Sequence, residues 1–207
     1  MTQWDDRYAE PEFAYGTEPN AFLAAVACRI PAGPVLCLAE GQGRNAVFLA
    51  GLGHSVTAVD QSAVGLARAR ELAASRGVTV ECVEADLATY RIAPGAWAGI
   101  VAIFMHLPPA LRAHVYRGAA AGLMPGGVLV VEAYTPRQLT FGTGGPKVAE
   151  LLVPRAALQA ELAGLEFLLA QEAEREVIEG KHHHGTAAVV QVLARQSVPG
   201  AAREQQS

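Results

Sequence analysis

Val35-Leu36-Cys37-Leu38-Ala39-Glu40-Gly41-Gln42-Gly43-Arg44-Asn45 is the stretch whose reading decides the fold. Four apolar residues without polar alternation read as a short strand buried on both faces. The turn that follows carries Gly41 and Gly43, which let the backbone bend sharply and approach a ligand closely. A short helix is expected at once, over residues 45–50. The unit is therefore strand, glycine turn, helix, the opening of a doubly wound sheet, where ligands sit at the carboxyl ends of strands.

Working outward, the unit recurs. Residues 56–59 form a second strand that ends on Asp60, and Ser62 can cap a helix running to Arg76. Further strands are expected over 79–83, 97–104 and 128–133, with a helix opened by Pro108-Pro109 between the last two. Upstream, Asn20 can cap a helix over 21–29. Near-continuous apolar strands separated by helices point to a mostly parallel sheet covered on both faces. The C-terminal third departs from this pattern. A helix over 154–163 precedes a strand over 167–176, a polar turn over 179–185 and a strand over 187–193, which reads as an antiparallel hairpin at one sheet edge. Glu172, Glu174, Arg175 and Glu176 read as its solvent face.

The residues just after the strands carry the chemistry. Gly41 and Gly43 follow the first, Asp60 the second, Glu84-Ala85-Asp86 the third. An acid at Asp60 suits a pair of ribose hydroxyls, and Asp86 suits an adenine amino group. Singly, each is as readily a tight turn, a helix cap or a solvated acid. In order, after three successive strands, they favour an adenosine-containing ligand.

Composition sets the class. With 207 residues, 51% hydrophobic and 17% charged, the chain is long enough for one cored domain. A net charge of −4 argues against electrostatic binding to nucleic acid or an anionic membrane. No apolar run reaches membrane-spanning length, and the polar start lacks the pattern of a signal peptide. Three cysteines without close spacing read as reduced thiols, which fits a cytoplasmic protein.

These motifs, with Trp4-Asp5-Asp6-Arg7-Tyr8, Gly16-Thr17-Glu18-Pro19-Asn20, His106-Leu107-Pro108, Met124-Pro125-Gly126-Gly127, Glu132-Ala133-Tyr134-Thr135-Pro136 and Gly142-Thr143-Gly144-Gly145-Pro146, give the chain its likeness. Over residues 4–195 it resembles the class I S-adenosylmethionine-dependent methyltransferases, and more narrowly the tellurite-resistance and thiopurine methyltransferase-like group. The resemblance implies a seven-stranded sheet in the order 3-2-1-4-5-7-6 with the last strand antiparallel. It implies an S-adenosylmethionine-binding domain over 31–196; the aromatic-rich residues 1–30 are expected to form a lid and helix, and residues 197–207 read as a disordered tail. The cofactor would be held by Glu40, Gly41, Gly43, Arg44, Asn45, Asp60, Gln61, Ala85, Asp86, Leu87 and Phe104. The lid and acceptor site would use Trp4, Arg7, Tyr8, Tyr15 and Tyr134. The acceptor would be a small molecule, a thiol or a metalloid oxyanion such as tellurite, and the protein a monomer or homodimer. The chain departs from the family's first motif in having Cys37 where an acid is common and Ala39 in place of a glycine. Glu40 can supply the carboxylate instead.

His106, directly after the fourth strand, and His183, in the turn of the hairpin, are the candidate proton acceptors, each with an ordinary imidazole pKa near 6.5. His182-His183-His184 is a solvated turn on this reading, and no metal is expected, because three adjacent side chains cannot converge on one ion. Two alternatives stand beside the methyltransferase. Gly41-Gln42-Gly43-Arg44-Asn45-Ala46 also fits a nicotinamide-dinucleotide fingerprint, with Asp60 at the ribose, but the chain lacks a Tyr-x-x-x-Lys pair and a second nucleotide-binding half. A cofactor-binding protein without catalysis is the third reading.

Overall fold

The computed structural model describes residues 3–180 and 183–199; the side chains of Gln3 and His183 lie outside that description. The expected tail therefore falls outside it from residue 200 onward. Seven strands form one sheet: β1 (Pro34–Leu38), β2 (Ser55–Asp60), β3 (Glu81–Glu84), β4 (Trp97–Ile103), β5 (Leu123–Tyr134), β6 (Glu166–Glu179) and β7 (His183–Arg195). Their order is β3-β2-β1-β4-β5-β7-β6, the one the resemblance implies. The pairs from β3 through β5 are parallel, and β7 runs antiparallel to both β5 and β6.

Helices α1 (Gln3–Tyr8), α2 (Ala21–Val26), α3 (Arg44–Gly51), α4 (Ala63–Ser75), α5 (Pro109–Gly122) and α6 (Arg155–Glu161) cover the sheet. The central strands separate two apolar layers. Leu36, Ile100, Leu129 and Val131 pack with Val115, Tyr116 and Leu158 on one side. Val35, Cys37, Val101 and Val130 pack with Leu23, Leu49 and Leu66 on the other. This double burial is why these strands show no polar alternation in the sequence.

Two caps fix the helices beside the site. The Asn20 side chain accepts from Leu23 N at 3.0 Å and the Ser62 hydroxyl from Gly65 N at 3.0 Å, as the sequence anticipates. The hairpin differs from its sequence reading. β6 extends to Glu179 and β7 begins at His183, so much of the expected polar turn is strand. Alternation along β6 buries Val177 and Glu179 and half-buries Arg175, while Glu172, Glu174 and Glu176 face outward. Arg175 is thus not part of the solvent face. It shares the inward face of Val177.

Candidate active site

The site is assembled where β1, β2, β3 and β4 end. After Leu38 the chain takes a left-handed conformation at Ala39 (φ 51°), then at Gly41 (φ 60°) and Gly43 (φ 86°), and enters α3 at Arg44. Ala39 holds this conformation without being glycine, at a cost of about 1 kcal/mol, so the departure from the family motif leaves the turn's shape intact. Each glycine has its own reason. A Cβ on Gly41 would strike the Tyr8 ring and hydroxyl, and one on Gly43 would strike Ala69 of α4.

Three carboxylates organise the loops. One oxygen of Glu40 accepts from Asn45 N (2.9 Å) and Ala46 N (2.8 Å), closing the N-terminus of α3. Asp60 accepts from Gly41 N with one oxygen and from Ser62 N with the other, both at 2.8 Å, which locks the glycine turn to the end of β2. Asp86 accepts from Ala88 N at 2.8 Å in the loop after β3. Burial pushes the Glu40 carboxyl up to about 7, against the lowering effect of its backbone hydrogen bonds. Burial raises Asp60 as well.

These groups line a cavity with about 850 Å³ of empty space, its open mouth included. Its lining comes from the β1–α3 turn and the end of β2 (Glu40, Arg44, Asn45, Asp60 and Gln61), the loop after β3 (Ala85, Asp86 and Leu87), the segment after β4 (Phe104 and His106) and the N-terminal segment (Trp4, Tyr8 and Tyr15). Of the sequence-selected residues, Gly41 and Gly43 shape the loop without lining the cavity, and Tyr134 lies behind it, stacked on Phe104 at 4.6 Å between centroids. Arg7 lies in an adjoining cavity with Trp4, Tyr15 and His106. Tyr8 is a buried anchor, wedged between Gly41 and Gly65, and the Ser62 hydroxyl donates to Asp5 at 2.6 Å. The start of the chain is therefore tied to the N-terminus of α4, and of the residues expected in the lid, Trp4 and Tyr15 line both cavities.

Arg44 faces two ways. It lines the cavity, and its guanidinium donates to Glu179 at 2.5 Å. That carboxylate belongs to a buried network that the sequence reading missed. Glu132 of β5, fully buried, accepts two hydrogen bonds from Arg175, at 2.9 and 2.6 Å, one from Gln191 at 2.7 Å and one from Asn20 at 2.5 Å. The available signal was Glu132 itself, an acid within the apolar run 128–133, which demands a buried partner.

His106 stands at the junction of the two cavities, its ring 6.0 Å from that of Tyr134. Its position matches the expectation, but its protonation does not. Burial, with the nearby Arg7 guanidinium adding to it, lowers the imidazole to about 4, so it is neutral at pH 7 and a weaker base than an ordinary histidine. The His183 backbone lies at the start of β7, and its side chain, like Lys181 and His182, is outside the described residues.

Residues 35–127 match the family model for a methyltransferase domain. The chain carries a methyltransferase domain. S-adenosylmethionine-dependent methyltransferases are among the solved structures with the same fold. No curated protein matches the chain by sequence. Among solved structures, a protein from the conversion of a disulfide bond into a thioacetal group during echinomycin biosynthesis aligns with a TM-score of 0.73 at 18% identity, covering 94% of this chain and 87% of that one. TehB from Haemophilus influenzae aligns at 0.69 and 21% identity, covering 85% of this chain and 61% of TehB. An S-adenosylmethionine-dependent methyltransferase from Methanosarcina mazei aligns at 0.68 and 16% identity, covering 84% and 97%. At these identities the likeness is one of fold. The methyltransferase-domain match and the seven-strand order count against the nicotinamide alternative.

Proposed function

We propose that this methyltransferase passes the methyl group to a small-molecule acceptor held in the cavity beside the cofactor. The observation that carries the reading is the arrangement of two adjoining cavities that share Trp4, Tyr15 and His106. S-adenosylmethionine, when bound, supplies a methyl carbon on a positively charged sulfur, which leaves as a neutral thioether. The inner cavity fits that cofactor. Asp60 retains lone pairs for ribose hydroxyls after its two backbone bonds, Asp86 stands where an adenine amino group would be met, and Glu40 supplies a carboxylate for the methionine ammonium.

With so good a leaving group, the protein's task is mostly alignment and exclusion of water. Trp4 and Tyr15 shield the opening. A neutral His106 orients the acceptor by one hydrogen bond, and an acceptor that enters already ionised leaves no proton to remove. A soft nucleophile, a thiol or a metalloid oxyanion such as tellurite, suits such a site, and we place the protein in the cytoplasm as a monomer or homodimer. The test is calorimetric titration with S-adenosylmethionine and with NAD, followed by an acceptor screen that reads S-adenosylhomocysteine release. Binding of NAD but not S-adenosylmethionine would overturn the reading, and binding without release for any small acceptor would favour the non-catalytic alternative.

A further inference from the structure

The outer cavity, with about 1020 Å³ of empty space including its open mouth, has a one-sided character. Its inner end is Trp4, Tyr15 and His106, the residues it shares with the cofactor cavity; its outer rim holds Arg7 and Lys147. No carboxylate lines it among the described residues. Among those residues neither Arg7 nor Lys147 forms an ion pair. Arg7 is held in place by neutral partners: it lies over the Trp4 ring, 5.1 Å from its centroid, and donates to the Tyr15 hydroxyl at 2.7 Å. The protein as a whole is acidic, so two cations with no ion pair among the described residues at one opening stand out.

Resting on the methyltransferase reading, we propose that the outer cavity is the acceptor subsite and selects a ring-bearing organic acid. Its carboxylate is anchored at the rim by Arg7 and Lys147, and its ring lies between Trp4, Tyr15 and His106. The charged end and the reacting end of such an acceptor are different groups. The carboxylate stays at the rim. The reacting atom, at the inner end, gives its electron pair to the methyl carbon as the carbon–sulfur pair returns to sulfur, and any proton it carries leaves to water. Aromatic walls favour a planar body through stacking, and a guanidinium fork suits a carboxylate. The Arg7 guanidinium, already stacked on Trp4, loses little freedom on binding it.

The test is binding, not turnover. Benzoate, its neutral counterpart benzamide, and sulfate are titrated into the full-length protein saturated with S-adenosylhomocysteine, with tryptophan fluorescence as the readout. Benzoate should bind more tightly than either of the others, with Lys147→Gln and Arg7→Gln each weakening benzoate about fivefold, the upper range for a partly exposed ion pair. Lys147→Arg should restore it, and benzamide binding should be unmoved by Lys147→Gln. Lys147 is exposed, so its substitution leaves folding intact. Equal affinity for benzoate and benzamide removes the anion anchor. Sulfate binding as well as benzoate removes the ring requirement. Either result overturns the inference while S-adenosylhomocysteine binding leaves the methyltransferase reading standing; failure of S-adenosylhomocysteine to bind overturns that reading first.

Discussion

The two halves of the sheet use their polar residues in opposite ways. At the ends of β1, β2 and β3, Glu40, Asp60 and Asp86 bond to backbone N–H groups of their own or neighbouring loops, and their remaining lone pairs face a cavity. At the β5–β7–β6 edge, Glu132 and Glu179 are buried and bond to side chains, most of them far away in sequence, with Arg175 to Glu179 the one local pair among those bonds. The first half keeps acceptor capacity free and can bind. The second spends its capacity internally and holds the hairpin to the N-terminal segment and to α3. Arg44 is the joint, lining the cavity while paired with Glu179.

The sharpest way to break that contrast is at Glu132. Glu132→Ala leaves Arg175 without its main partner and should cost about 3–5 kcal/mol, the cost of stranding a buried charge. Urea denaturation would measure it, and a loss under about 1 kcal/mol would show that the network adds nothing to the hold. The double variant Glu132→Leu with Arg175→Met should recover most of the stability, since a well-packed apolar pair often replaces a buried ion pair without loss.

This contrast also sets what the sequence could disclose. The glycine turn, Asp60, Asp86 and the strand order are legible because each depends on neighbours within one strand–turn–helix unit. The network is not, because Asn20 and Glu179 are 159 residues apart and Arg175 and Glu132 are 43 apart. A charged stretch such as Glu172, Glu174, Arg175 and Glu176 looks uniformly solvated until Val177 is known to face inward. The lowered His106 is equally invisible, because it reflects burial and Arg7, brought in from α1.

Asp60 tests the binding half. Asp60→Ala should weaken S-adenosylmethionine at least about tenfold, the loss of a hydrogen-bonded carboxylate at a ribose. It should also destabilise the apo protein by about 1–2 kcal/mol, because Gly41 N and Ser62 N lose their acceptor. Calorimetry and thermal unfolding read the two separately. Unchanged affinity with lost stability would make Asp60 a purely structural member of the turn.

Glu40 gives a smaller, pH-dependent effect. Its carboxyl titrates at about 7, so it gains its negative charge as pH rises through that value. A cationic methionine ammonium favours the charged form, so affinity should rise between pH 6 and 8, by at most about tenfold per unit for one proton. Apo stability has the opposite sign. The folded pKa lies above the unfolded one, so Glu40's contribution is present at low pH and is lost as pH rises through about 7. Glu40→Gln should flatten both dependences, and a pH-independent affinity in the wild type would place the ammonium elsewhere.

The smallest expected effect is at His106, and it separates orientation from proton transfer. Because the imidazole titrates near 4, it stays neutral from pH 5.5 to 8, and turnover should show no limb from His106 in that range. His106→Ala should lower turnover by about tenfold at every pH in that window, leaving the profile's shape and the affinity for S-adenosylhomocysteine unchanged. Stability adds an independent check. The folded pKa is depressed, so the His106 contribution is complete above the ordinary value near 6.5 and is lost as pH falls toward 4. The wild type should lose more stability than His106→Ala across that interval. A turnover limb near 6.5 that disappears in His106→Ala would mean that the imidazole titrates normally and acts as a base, and the cavity junction would then catalyse as well as align.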